Sequence, residues 1–241
     1  MSTKLHLGCG EKYLEGYVNI DYPASEHSVM SVKADKYADI RTLTYPAGSV
    51  DEVRNHHMFE HFTRAEALHL LLAWRKWLKA DGILHIETPD FAGCARAYAW
   101  SLSRKRRFEL GRHVFGSQEA GWAIHYDFWD KAKFKFVLHE LGFKNIRVRR
   151  YANSFAKYYA HIPFANLIGR LIPERVYRAR GGNKLPNIEV IAEKDAAYPL
   201  NDKEAVRRIL AQYLVGRENE KLLRVWLADF DRFHGAQNHE T

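Results

Sequence analysis

Two cysteines, Cys9 and Cys94, are all that this 241-residue chain contains. A disulfide framework is excluded, and a reducing, cytoplasmic compartment is the expected setting. No uninterrupted apolar run approaches the roughly 18 residues that cross a bilayer. The opening Met1-Ser2-Thr3-Lys4 lacks the apolar stretch of a secretory leader. Internal repeats and low-complexity segments are also missing. Negative charge is in short supply: 29 acidic residues face 37 basic ones, a formal charge of +8. That balance suits nucleic acid, an anionic membrane surface or an anionic small substrate, or is simply a basic surface. The excess is uneven. Arg147, Arg149, Arg150, Lys157, Arg170, Arg175, Arg178, Arg180 and Lys184 fall in one stretch, opposed by little beyond Glu174.

What remains is ordinary for a soluble enzyme, with 46% hydrophobic and 27% charged residues. The length fits one large domain, or one domain with an appendage. The most informative segment is Lys4-Leu5-His6-Leu7, which runs into Gly8-Cys9-Gly10, and then Val18-Asn19-Ile20, which ends on Asp21. A strand that opens into glycines lets backbone approach a ligand. A carboxylate ending the next strand can accept from ribose hydroxyls. The bland alternative is a plain turn. The dinucleotide fingerprint needs a third glycine, and that position is Tyr13. Glu11 would repel a diphosphate at this turn, so a nucleoside without phosphates fits better.

Short β-like runs alternate with helical patterns to about residue 150, which favours a parallel α/β sheet. The strand candidates are Lys4–Leu7, Tyr17–Ile20, Lys36–Ala38, Val50–Arg54, Ile83–Glu87, Asn145–Arg149 and a late one at Asn187–Glu193. Thr63 and Glu66 form a capping box that opens a helix. Its apolar face is Ala67, Leu70, Leu71, Trp74, Trp77 and Leu78, and Asp81-Gly82 is expected to stop it with a left-handed glycine. Asp130 caps a second helix that runs to Gly142. Two more helices fill residues 201–241, divided by Gly216. Residues 152–186 break the alternation as an insertion. Within it, Tyr158–Gly169 is apolar and uncharged, which suits a lid, an oligomer contact, an interfacial helix or an ordinary packed insertion.

In order along the chain, Leu7-Gly8-Cys9-Gly10 and Gly16-Tyr17-Val18-Asn19-Ile20-Asp21 resemble the first motif and second strand of class I S-adenosylmethionine (SAM)-dependent methyltransferases. Asp39-Ile40-Arg41, His57-Met58-Phe59-Glu60-His61, Leu78-Lys79-Ala80-Asp81-Gly82, Thr88-Pro89-Asp90, and His125 with Phe134 through Gly142-Phe143 continue the likeness. It covers about residues 4–150 and the late strand. It is closest to small bacterial members associated with surface-polysaccharide synthesis. It implies a Rossmann-like, mostly parallel seven-stranded sheet with helices on both faces, an insertion before the last strand and a C-terminal helical extension. The domain would be 1–200. Lys12 stands where a third glycine is frequent, and the short gap to Asp21 leaves the first helix short or absent.

The resemblance implies SAM as cofactor, held by Gly8, Cys9, Gly10, Asp21, Asp39, Ile40, Asn55 and His57. Asp21 would take the ribose or else cap a helix. Asp39 would meet the adenine amino group or be a turn carboxylate, and Ile40 would pack on the ring. Asn55 would reach the amino-acid end or be a polar strand end. A hydroxyl acceptor needs a base. His125 is the candidate because imidazole titrates near neutrality, unless it is structural. Asp90 is the reserve, and Tyr126 and Arg112 could help hold the acceptor. No metal is expected. His57 to His61 matches H-x-x-E-H of inverted zinc proteases, but that motif needs a long helix, whereas a strand precedes it and Thr63 caps a new helix after it. The implied activity is O-methylation of a sugar or sugar-containing acceptor, expected to be anionic and so to match the arginines, with weak peripheral membrane contact as a further expectation for a lipid-linked one. RNA methylation is the alternative among enzymes, and a non-catalytic scaffold of this fold is the other.

Overall fold

Leu5 and Leu7 are fully buried while Lys4 and His6 alternate with them, and the same period of two sets the architecture. The structure is a computed structural model that describes residues 2–26, 29–159, 161–173, 175–176, 183–218 and 220–238. Seven strands form one sheet: β1 (Lys4–Leu7), β2 (Val18–Asp21), β3 (Lys36–Tyr37), β4 (Val50–His56), β5 (Leu78–Pro89), β6 (Phe143–Tyr151) and β7 (Asn187–Lys194). Their order is β3-β2-β1-β4-β5-β7-β6. All pairs are parallel except those of β7, which runs antiparallel to both β5 and β6. The expected mostly parallel, seven-stranded sheet is therefore present.

On one face, Leu5, Leu7, Val53, Leu84, Ile86, Ile188 and Val190 supply the core. Helix α1 (Arg64–Trp77) packs there. Its start is the capping box: Thr63 Oγ1 accepts from Glu66 N, and Glu66 Oε2 accepts from Thr63 N at 3.0 Å. Its end differs from the expected glycine stop. The helix finishes at Trp77, and Leu78 is already extended because it pairs with Val50 in the sheet. The left-handed residue of the following turn is Asp81 (φ 58°), not Gly82.

The other helices are α2 (Phe91–Ala99), α3 (Arg104–Phe115), α4 (Lys131–Glu140), α5 (Ser154–Tyr158), α6 (Ala165–Leu171), α7 (Asp202–Ala211) and α8 (Glu220–Asn238). The tail helices join the main core through Val206, Ile209, Leu210, Leu223 and Phe230. His69 of α1 meets His234 of α8 at 3.4 Å. Leu68, His69, Leu72 and Ala73 are consequently buried too, beyond the single apolar face read from the sequence. In the insertion, α5 and α6 gather a small second cluster of Tyr151, Ala156 and Ala165. Arg178, Arg180 and Glu174 of the basic stretch lie outside the described residues. Among the described residues, no helix is long and apolar enough to cross a membrane.

The opposite face of the sheet is polar. Residues 8–17 contain no helix, as the short gap to Asp21 implies. Across that face the registers His6↔Arg54, Arg54↔His85 and His56↔Glu87 line up polar side chains, and Arg54 Nε donates to His56 Nε2 at 3.3 Å. The rings of His6 and His56 stand edge to face at 5.6 Å, and those of His56 and His85 at 6.0 Å. His85 Nε2 reaches Glu189 at 3.0 Å. Burial pushes His56 down to about 2, so it is held neutral.

Trp74 is fully buried against Phe59, with ring centroids 5.6 Å apart. Trp74→Ala should cost about 3–5 kcal/mol of unfolding free energy. Thr63→Ala should cost about 1 kcal/mol through the lost cap. Urea titration followed by far-ultraviolet circular dichroism measures both, and equal losses would contradict this division between core and cap.

Candidate functional site

Gly8 and Gly10 lie beyond the C-terminal end of β1 with positive φ (66° and 53°), the left-handed region that side chains disfavour. A Cβ on Gly8 would sit 2.5 Å from Met58 Cγ, whereas one on Gly10 would meet only Met30 Sδ at 3.9 Å. Asp21 ends β2 beside this turn. Its Oδ2 accepts from Gly10 N at 2.6 Å and its Oδ1 from Tyr22 N at 2.7 Å. The carboxylate therefore fixes the glycine turn as well as facing the cleft. Burial and the nearby Asp21 charge push the Cys9 thiol up to about 12, so it is inert as a nucleophile.

These residues floor a cleft of about 690 Å³, walled by Ile40, Arg41, His57, Met58, Trp122 and Tyr126 among others. Its size is that of a small-molecule site. Trp122 Nε1 donates to Glu26 O at 2.8 Å, so the segment around Gly121–Ala123 is tied to the β2–β3 connection across the cleft.

The expected residues divide. Gly8, Cys9, Gly10, Asp21, Ile40 and His57 line the cleft. Asp39 does not, because its carboxylate caps the turn Ile40–Thr42 and grips Arg41, at 2.9 Å to the backbone N and 2.7 Å to the guanidinium. Burial opposes that charge, yet the Arg41 bonds hold the Asp39 carboxyl below the usual carboxylate range. The side chain presented at the expected adenine edge is Arg41, braced also by Tyr22 Oη at 3.1 Å and Glu66 at 3.2 Å. Asn55 does not line the cleft either. It points to the core face of β4, is fully buried, and neither amide atom has a hydrogen-bond partner among the described residues. Asp90 lies in a separate cavity.

His57 has φ 49°, and its ring is clasped between two carboxylates, Glu60 Oε1 at 3.2 Å and Glu87 Oε1 at 3.6 Å. Burial works against its charge, but the two acids raise it to about 9, so it is a cation at neutral pH. Burial likewise opposes ionisation of Glu60, and the His57 hydrogen bond wins, holding it near 2.

A second chamber of about 570 Å³ adjoins the cleft and shares Met30, His57, His61 and Trp122 with it. His125 lines this chamber, as does Arg112. His125 Nδ1 donates to Val114 O at 3.2 Å, which leaves Nε2 as the basic atom, 4.0 Å from Glu60 Oε1. His61 Nδ1 donates to Ile124 O at 3.1 Å, and the His61 and His125 rings meet edge to face at 4.6 Å. Burial lowers the His125 pKa below its ordinary value, although Glu60 counters it.

Glu60, His61 and His125 each bring one donor atom within 4.8 Å of the others, the separation at which a cation could be held. Glu60 is already committed to His57. The i, i+4 pair of the protease motif is not used, since residues 59–61 form one 3₁₀ turn and His57 sits outside it. Glu60, Arg41 and Trp122 were not singled out from sequence. Glu60 and Arg41 carried a signal, each as a residue inside a quoted motif; Trp122 carried none.

No protein-family model and no curated protein matches the chain. Among solved structures, a SAM-dependent methyltransferase from Archaeoglobus fulgidus is similar at 17% identity, over 80% of this chain and 86% of that one, with a TM-score of 0.47. A SAM-dependent methyltransferase from Methanosarcina mazei is similar at 14% identity, over 80% of this chain and 92% of that one, with a TM-score of 0.42. The plantazolicin methyltransferase, in complex with a substrate analogue and SAH, is similar at 14% identity, over 80% of this chain and 77% of that one, with a TM-score of 0.46. These are likenesses of overall fold.

The two glycines should respond unequally to alanine. Gly8→Ala must displace Met58 as well as strain the backbone, whereas Gly10→Ala carries only the strain, about 1 kcal/mol. Thermal melts of both variants test this, and a Gly10→Ala loss as large as that of Gly8→Ala would contradict the geometry.

Proposed function

We propose that the chain is a SAM-dependent methyltransferase that methylates a hydroxyl of a sugar or sugar-containing acceptor. The observation that carries this reading is the cleft floor: two left-handed glycines and the Asp21 carboxylate meeting at the C-terminal ends of adjacent parallel strands. Asp21 would take the ribose hydroxyls on its remaining lone pairs, and Ile40 would pack on the adenine. Arg41 takes the place at the adenine edge that Asp39 was expected to fill. Gly8–Gly10 would pass under the amino-acid end.

Transfer from a sulfonium is an in-line displacement at an already activated carbon. The acceptor oxygen attacks, the C–S bond breaks, and S-adenosylhomocysteine leaves. The chain's work is to align the oxygen, exclude water and remove one proton. His125 is the base in this reading. Its neutral Nε2 faces the chamber beside the cleft, and Glu60 stabilises the imidazolium that forms. Asp90 lines neither the cleft nor the chamber, so the reading assigns it no part in this step. A cytoplasmic setting is part of this reading, and the two free, buried cysteines support it.

Calorimetry with SAM should show one site per chain. Asp21→Ala should weaken it by about 1–3 kcal/mol, the cost of ribose hydroxyls left unpaired. Unchanged affinity would move the ribose site elsewhere.

His125→Ala should spare SAM affinity and lower acceptor turnover by about 10²–10⁴-fold. A base must be deprotonated to act, so the rate should rise with pH through the His125 pKa. Burial places that limb below the ordinary 6.5. The limb should vanish in the variant. Turnover should persist after dialysis against a chelator. Loss of activity restored by a divalent metal would reassign Glu60, His61 and His125 as ligands.

A further inference from the structure

A third cavity, of about 660 Å³, gathers Arg96, Arg106, Arg150, Arg170 and Lys184 around a single carboxylate among the described residues, Asp90. The cations come from α2, α3, β6, α6 and the segment before β7, so the fold assembles them and sequence proximity does not. Mutual repulsion makes such a gathering unfavourable unless an anion offsets it. A concave wall also focuses the field and concentrates anions. Arg106 is partly engaged, donating to the Lys184 carbonyl and lying 3.7 Å from Glu109. Among the described residues, Arg96, Arg150 and Arg170 form no ion pair. Planar guanidinium groups suit the oxygens of a phosphate.

One further atom at the same cavity calls for a partner. Asp90 is 3% exposed, yet its Oδ1 has no hydrogen-bond partner among the described residues. Buried polar atoms are rarely left so. The carboxylate needs a donor, which a bare anion cannot provide and a hydroxyl can. We infer that this cavity binds a phosphorylated, hydroxyl-rich small molecule, a sugar phosphate or a sugar joined through a diphosphate.

The cavity lies beside the proposed reaction site. Arg106 and Lys184 also line the chamber of His125, which in turn shares four residues with the cofactor cleft. Calling the ligand the methyl acceptor rests on the methyltransferase reading; the anion site itself does not. Its phosphate end would be gripped by the arginines while a sugar hydroxyl extends through the chamber toward the cleft.

The test is calorimetry on the full chain with four probes: pyrophosphate, glucose 1-phosphate, a uridine diphosphate sugar and glucose. SAH is titrated separately into every variant. Glucose 1-phosphate or the diphosphate sugar should bind, and the tighter of the two identifies the source. Glucose alone should not bind. Arg96→Ala with Arg150→Ala should weaken binding at least tenfold, and both side chains are exposed, so the fold should tolerate the change. SAH affinity should stay constant throughout. Failure of every phosphorylated probe to bind overturns the inference, as does binding indifferent to the arginines. So does arginine-dependent binding of an RNA hairpin in the absence of phosphosugar binding. Absence of SAH binding in the parent chain, with phosphosugar binding intact, removes the methyltransferase reading and leaves the anion site standing.

Discussion

Glu87 is 1% exposed at the C-terminal end of β5, with two cationic partners, Lys157 at 2.7 Å and His57 at 3.6 Å, and the neutral His56 as a neighbour at 3.8 Å. A carboxylate so placed must stay paired, because removing its hydration without compensation costs several kcal/mol. Burial opposes its ionisation, but the His57 and Lys157 hydrogen bonds hold it well below the usual carboxylate range. Each partner belongs to a different part of the molecule. Lys157 brings α5 of the insertion onto the sheet, His57 starts the loop that walls the cleft, and His56 belongs to the row of histidines across the polar face. One buried charge thus sets the insertion, the site and the sheet face in register.

That arrangement traces back to the connection between β1 and β2. With no helix in residues 8–17, this side of the sheet lacks the apolar cover that the first crossover would have provided. The strands respond by alternation: core residues face α1 and the tail helices, and His6, Arg54, His56, His85, Glu87 and Glu189 face the other way. Such a face tolerates charge only through pairing, and the pairs run toward the C-terminal strand ends where the cleft opens. Polarity on the sheet and polarity at the site are therefore one network.

What could be read from sequence was what depends on neighbours in sequence. The turn of Gly8 and Gly10, the acid Asp21, the Thr63–Glu66 box and the Asp130 cap all follow from short-range geometry, and the structure has each of them. What could not be read depends on strand register and on tertiary partners. Asn55 falls on the core face because Val53 does, and a polar residue at a strand end gives no sign of which face it will take. Asp39 turns to Arg41 two residues on, a local pairing that outcompetes a distant ligand. Asp90 follows its strand into a different cavity because α2 begins at Phe91 and its side chain is not used as the cap. The end of α1 at Trp77 is set by pairing of Leu78 with Val50, which overrides the glycine signal.

The basic excess shows the same division between composition and fold. In sequence, the cations crowd residues 147–184 and suggest that the insertion alone handles an anion. In the structure, Arg149 is spent on Glu189 at 2.7 Å and Lys157 on Glu87, so two of those charges are structural. Lys184 Nζ donates to the Arg170 carbonyl at 3.1 Å, and Arg150 and Arg170 face Arg96 and Arg106, which come from helices before the insertion and were not part of the cluster seen in sequence. The positive character of the surface is thereby converted into a bounded cavity. Counting charges along the chain could only announce an anionic partner. Pairing decides which of them remain available, and concavity decides how large the partner can be.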